Sequence, residues 1–156
     1  MSRIYEVVFD NVAVSAVQDL VQINGATGKM IRILRRWVGS TDVPVATQQQ
    51  LALRERFLPA TVTNGTGTST TPSKTDPGAP AASFTAFCNS TTKATTTGTA
   101  VLLGAYGAHI FNGYDDEPDV FYPVGPGQAY VFELEVTPTA GPIHLSGGVA
   151  VEEIGG

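Results

Sequence analysis

The chain has 156 residues, a formal net charge of -5 at pH 7 and only 15% charged residues. A single domain of this size buries roughly 70% of its unfolded surface around one core, and the acidic balance leaves no electrostatic footprint for nucleic acid or an anionic membrane. With 17 glycines, 10 prolines and many threonines the composition is that of an all-β protein, and its one cysteine, Cys88, excludes an internal disulfide.

The opening residues Met1–Glu6 lack the apolar segment of a secretory signal, and no stretch approaches ~18 uninterrupted apolar residues. The expectation is a soluble protein made in a cytoplasm, so Asn64-Gly65-Thr66 and Asn89-Ser90-Thr91 read as turn chemistry and not as glycosylation sites. Residues 3–9 alternate, with Ile4, Glu6 and Val8 on one face and Tyr5, Val7 and Phe9 on the other, which predicts a strand. Asp10-Asn11 then offers a turn, and Val12 and Val14 continue the period. Leu20–Ile23 ends at Asn24-Gly25, a hairpin signal.

From Lys29 to Val38, apolar residues mix with Arg32, Arg35 and Arg36, and the β-branched content favours a strand. Gln48–Phe57 alternates Leu51, Leu53 and Phe57 against Ala52, Arg54 and Arg56. A strand stopped by Pro59 is preferred there over a local helix, which every residue in the stretch tolerates. Pro59–Gly98 is almost free of charge and crowded with Thr, Ser, Gly, Pro and Ala, so residues 59–82 are expected to form an extended arm that orders on assembly. Residues 100–103, 108–111, 120–122, 129–136 and 143–154 read as further strands. About eight strands at this spacing predict a β-sandwich or jelly roll.

Candidate chemistry is sparse. His109 and His144 lie in separate predicted strands, and with one cysteine no zinc spacing exists. Asp115-Asp116-Glu117-Pro118-Asp119 carries oxygen ligands suited to calcium but lacks the spacing of a dedicated loop, and a solvated turn is preferred. Glu133 and Glu135 share a strand face at roughly 6.5 to 7 Å, near a useful separation for sugar hydrolysis, without a pocket to mark them. No nucleophile elbow or phosphate-binding loop is present. The expectation is therefore a protein that is not an enzyme and holds no cofactor or metal. Arg32, Arg35, Arg36, Arg54 and Arg56 make up five of the nine basic residues. On neighbouring strands they would form a basic stripe for an acidic partner, or would simply guard strand edges. Tyr106, Tyr114, Phe121 and Tyr122 are candidates for stacking on a sugar.

Tyr5–Ala16 with Gln18–Leu20, then Asp76-Pro77, Ala82–Ala86 and Asn89–Thr92, and finally Ile143–Ile154, resemble small virion proteins of tailed bacteriophages, the β-sandwich proteins of the head-decoration kind. The resemblance implies a jelly-roll-like subunit present in several copies, as a dimer or trimer, that binds the major capsid protein or another virion protein. It carries no active site. Pro72, Lys74, Asp76 and Pro77 of the arm join the five arginines as candidate interface residues. A tail or connector component and a carbohydrate-binding module are the alternatives.

Overall fold

The structure, a computed structural model, describes residues 3–42, 49–119, 122–139 and 142–155. Among these there is no helix. The strands in chain order are β1 Arg3–Val14, β2 Gln18–Asn24, β3 Met30–Ser40, β4 Gln50–Leu58, β5 Val62–Thr63, β6 Thr68–Thr70, β7 Ser73–Lys74, β8 Thr85–Ser90, β9 Thr95–Thr96, β10 Val101–His109, β11 Tyr114–Asp116, β12 Pro123–Val124, β13 Ala129–Leu134 and β14 Ile143–Ile154. Sheet A runs β11-β3-β14-β1-β7 with β12 also on β3, sheet B runs β10-β4-β13-β2-β8-β6, and β5 with β9 forms a small ribbon. Both sheets are antiparallel. The pairings nest: β1 lies against β14, β2 against β13, β3 against β11 and β4 against β10.

The alternation read in the sequence selects the core. Tyr5, Val7, Leu145, Val149 and Val151 of sheet A meet Ile23, Leu51, Leu53, Tyr130, Phe132 and Leu134 of sheet B in one buried cluster. Residues 50–58 are a strand, not the rival helix, because period-2 alternation lets Leu51 and Leu53 face that core while β4 pairs on both sides, with β10 and β13. Asp10-Asn11 is not a turn. It is a bulge inside continuous β1, where Asn11 takes φ 49° and the register shifts between Phe9 and Val12. The extra residue moves the inward parity from odd to even, which carries Val12 and Val14 to the core.

Asn24-Gly25 does not close a hairpin, since β2 and β3 belong to different sheets. The chain crosses between sheets at Gly25, whose amide donates to the Gln128 carbonyl (2.9 Å), and a Cβ on Gly25 would run into the backbone of Gly125. The expected strands at 100–103 and 108–111 are one strand, β10, and the strand expected over 129–136 ends at Leu134. Of the strand expected over 120–122, Val120 and Phe121 lie outside the described residues, and pairing there involves Pro123–Val124.

Residues 59–82, expected as an extended arm, pack on their own domain in the isolated chain. β6 adds to β8, β7 adds to β1, and the Thr75 amide and hydroxyl both donate to the Ile4 carbonyl (3.3 and 3.0 Å). Tyr5 Oη donates to the Pro80 carbonyl (3.1 Å), and the Ser83 amide and hydroxyl donate to Glu153 (2.9 and 2.6 Å). Low charge had suggested a segment with no partner of its own. Its hydroxyls and amides instead satisfy polar groups of the same domain.

Gly25→Ala is expected to lower unfolding stability by about 2 kcal/mol or more, because backbone must shift to admit the Cβ. Gly39→Ala, where a Cβ meets nothing within 4 Å, should stay within about 0.5 kcal/mol. Urea unfolding of both variants checks the pair.

Candidate interaction surface

The two sheets treat their outward faces differently. On sheet B the outward groups of β2, β13 and β4 are covered by the chain's own insertion. Leu58, Ala94, Ala129 and Val131 form a second small apolar cluster there, with Val62 of β5 packed on it. Around it the polar contacts are dense: Gln22 Nε2 and Asn24 Nδ2 donate to Asn64 Oδ1 (2.7 and 2.8 Å), and the Gly65 amide donates to Gln22 Oε1 (3.2 Å).

Glu133 and Asp19, 0% and 1% exposed, sit at the centre of this covered face. Glu133 accepts from Arg54 Nε (2.5 Å) and Arg56 Nε (2.7 Å), with Lys93 Nζ at 3.3 Å. Burial pushes the Glu133 carboxyl up, but Arg56, Arg54 and Lys93 outweigh it and hold it below the ordinary range. Asp19 accepts from the Ala94 amide (2.6 Å) and from Arg56 (3.2 Å). For Asp19 burial wins over those partners, and the carboxyl is pushed from 3.8 up to about 6.

A second ionic cluster bridges the sheets. Arg36 points inward from β3, almost fully buried, and pairs with Glu55 of β4. Tyr130 Oη donates to Glu55 Oε1 (2.8 Å), and the Arg36 guanidinium donates to Tyr106 Oη (3.0 Å) and reaches Asp116 Oδ2 (2.7 Å). Burial pushes the Tyr130 and Tyr114 hydroxyls above their ordinary values, so both remain protonated donors. Tyr106 and Tyr114 pack against each other at 5.1 Å inside this cluster. They brace the sandwich instead of standing free for a sugar, and Phe121 lies outside the described residues.

The outward face of sheet A is open. Strand register sets its rows: Met30 beside Ile154, then Arg32, Glu152 and Ile4, then Arg35, Ala150 and Glu6, then Trp37, Gly148 and Val8. Ile4 and Val8 are 41% and 43% exposed. A Cβ on Gly148 would run into the Val7 carbonyl and the Trp37 ring, so the glycine lets the indole sit against β14. Arg35 stacks on Trp37 at 5.2 Å and forms a bidentate pair with Asp115 (2.8 and 2.5 Å), which holds the Asp115 carboxyl below its ordinary value. Arg32 pairs with Glu152 (3.5 Å). A groove of about 390 Å³ opens between Arg32, Leu34, Arg35, Glu117, Pro118 and Ala150.

The five arginines therefore form no single stripe. β3 and β4 lie in opposite sheets: Arg32 and Arg35 flank the open face, Arg36 is buried between the sheets, and Arg54 and Arg56 neutralise carboxylates on the covered face. What sequence reasoning missed is that each arginine has an acidic partner from a distant strand. Lys74, Asp76 and Pro77 are exposed along the β1 edge of the open face, with Pro72 half-buried. Asp76 caps its own turn through the Gly78 amide (2.9 Å). In the acidic loop, Asp115 and Asp116 are bound by Arg35 and Arg36. Glu133 and Glu135 both accept from Arg54. His144 pairs with Asp42 (2.7 Å), and the His109 ring lies beside Phe111. No group of three or more metal-ligating side chains occurs among the described residues. No protein-family model, curated protein or solved structure matches the chain.

Arg36→Met leaves Glu55 buried without its cation and is expected to cost about 3–5 kcal/mol, whereas Arg36→Met combined with Glu55→Met should recover most of that loss. A double-mutant cycle by denaturant unfolding measures the coupling. The Asp19 carboxyl, raised in the folded state, contributes stability that is complete below pH 3.8 and is lost as pH rises through about 6. Asp19→Asn should therefore gain stability relative to the parent across that window, as read from unfolding curves at several pH values.

Proposed function

We propose that the chain is a jelly-roll virion subunit of a tailed bacteriophage, a decoration or cement protein that docks on the outer head surface through the open face of sheet A and stabilises the shell. The nested strand pairing supports the fold. A jelly roll is a long antiparallel ribbon folded over into two sheets. Eight strands paired first with last and so on inward have that connectivity, with residues 59–98 inserted between the fourth and fifth.

The observation that carries the functional reading is the asymmetry between faces. The insertion covers the middle strands β2 and β13 of sheet B, while sheet A keeps Ile4, Val8, Met30 and Ile154 exposed among paired charges. Its three long strands, of 11 or 12 residues, span roughly 550 Å² at about 4.8 Å between strands and 3.4 Å per residue. That is most of the roughly 800 Å² that each partner contributes to a standard interface. Apolar residues interspersed with ion pairs suit a partner that is itself a folded surface. The resemblance of the opening, middle and closing segments to head-decoration proteins supplies the class of partner.

The test is to incubate the purified protein with particles lacking it and locate added density by image reconstruction. Density repeated over the head, with sheet A facing the shell, is expected, and Ile4→Glu combined with Val8→Glu should reduce occupancy at least tenfold without changing the circular dichroism spectrum. Density confined to the tail or connector would move the subunit there. No density on any part of the particle would overturn the virion reading and turn attention to glycans.

A further inference from the structure

Among the described residues, every edge of the two large sheets is short or carries a charge or a proline, except one. An edge strand exposes unpaired backbone groups that invite another strand, and folded proteins suppress this with short edges, charges or proline. Sheet A ends on one side at β7, two residues long with Lys74, and on the other at β11, which carries Asp115 and Asp116, and at β12, which begins with Pro123. Sheet B ends on one side at β6, three residues long and followed closely by Pro72. Its other end is β10, Val101–His109, nine residues with no Lys, Arg, Asp, Glu or Pro and no second partner strand among the described residues; its one irregularity is a bulge between Leu102 and Gly104, which leaves residues 104–109 as a regular edge.

We propose that β10 is a self-association edge, pairing antiparallel with β10 of a second copy of this chain about a two-fold axis near Ala105. The occupant follows from the strand itself. An uncharged strand laid against its own copy sets no like charges opposite one another. Gly104, Ala105, Gly107 and Ala108 keep its centre slim, so a second backbone approaches without obstruction. The apolar side chains lie toward its ends, with Val101 and Leu102 at one (Leu102 58% exposed) and Phe111 just beyond the other (51% exposed). Antiparallel pairing through Ala105 sets Val101 of one copy opposite His109 of the other with Phe111 on the diagonal, and Leu102 opposite Ala108, an isologous match in which each end covers its complement. The product is a sheet B twice as wide, with both open faces of sheet A left for other partners. This surface is separate from the face that docks on the shell, and the inference does not need the virion reading.

The oligomeric state of the purified full-length chain, measured by sedimentation without particles, tests it. A dimer is expected, with β10 amides gaining protection from hydrogen exchange as protein concentration rises. Ala105→Lys, which places two lysines across the axis, should return the chain to a monomer with an unchanged circular dichroism spectrum. Leu102→Lys, at an exposed position outside the centre, should weaken the dimer at least tenfold and stands in if the first variant fails to fold. A chain that remains monomeric to millimolar concentration overturns the proposal. So does an oligomer that keeps its affinity in whichever of these variants folds.

Discussion

A carboxylate removed from water must be neutralised where it stands, and Glu133 on the outward face of β13 has no exposed surface at all. Much of the architecture answers that one constraint. Arg54 and Arg56 reach it from the neighbouring strand and Lys93 from the far end of the insertion. The same segment brings the Ala94 amide to Asp19 and the Asn64 side chain to Gln22 and Asn24. β2 and β13 are consequently buried on both sides. A segment rich in Thr, Ser and Gly suits this cover because it meets a polar sheet face and needs donors and acceptors more than apolar bulk.

The inter-sheet cluster does a different job with the same chemistry. Arg36 and Glu55 approach from opposite sheets, and Tyr130, Tyr106 and Asp116 share their hydrogen-bonding capacity. An apolar pair of similar volume would fill the space about as favourably. What the ionic pair adds is direction: it aligns β3 with β4 and ties in β10 and β11 through Tyr106 and Asp116. With one outward face covered over β2 and β13 and the interior locked, the outer face of sheet A and the β10 edge are the surfaces left available, and they lie on different parts of the molecule.

Strand identity was legible wherever one face is buried, because period 2 is a direct consequence of the pleat. Residues 4–9, 50–58 and 129–134 are the clear instances. The bulge at Asn11 was not legible, since Asp-Asn suits a turn as well as a left-handed residue inside a strand, and only the pairing with β14 decides. Nor was the crossing at Gly25: Asn-Gly makes a hairpin when its flanking strands pair with each other, and these pair elsewhere. The arginines were legible as a group and misleading as a group. Their partners Glu55, Asp115, Asp19 and Glu133 come from strands 19 to 80 residues away along the chain, and composition carries no trace of such pairing. The insertion misled for a related reason, since its low charge reflects what it covers.

The central claim is that the insertion is a built-in cover for sheet B, which leaves the face of sheet A to a partner. Hydrogen exchange on the isolated chain, resolved to single amides, tests it most directly. The amides of Gly65, Gly67 and Ala94, bonded to Gln22, Ser90 and Asp19, should exchange many times more slowly than in an unstructured chain, and Lys93→Ala should accelerate Ala94 most. Exchange of all three at unprotected rates would contradict the account, since sheet B would then stand open and the insertion would be free to reach another molecule.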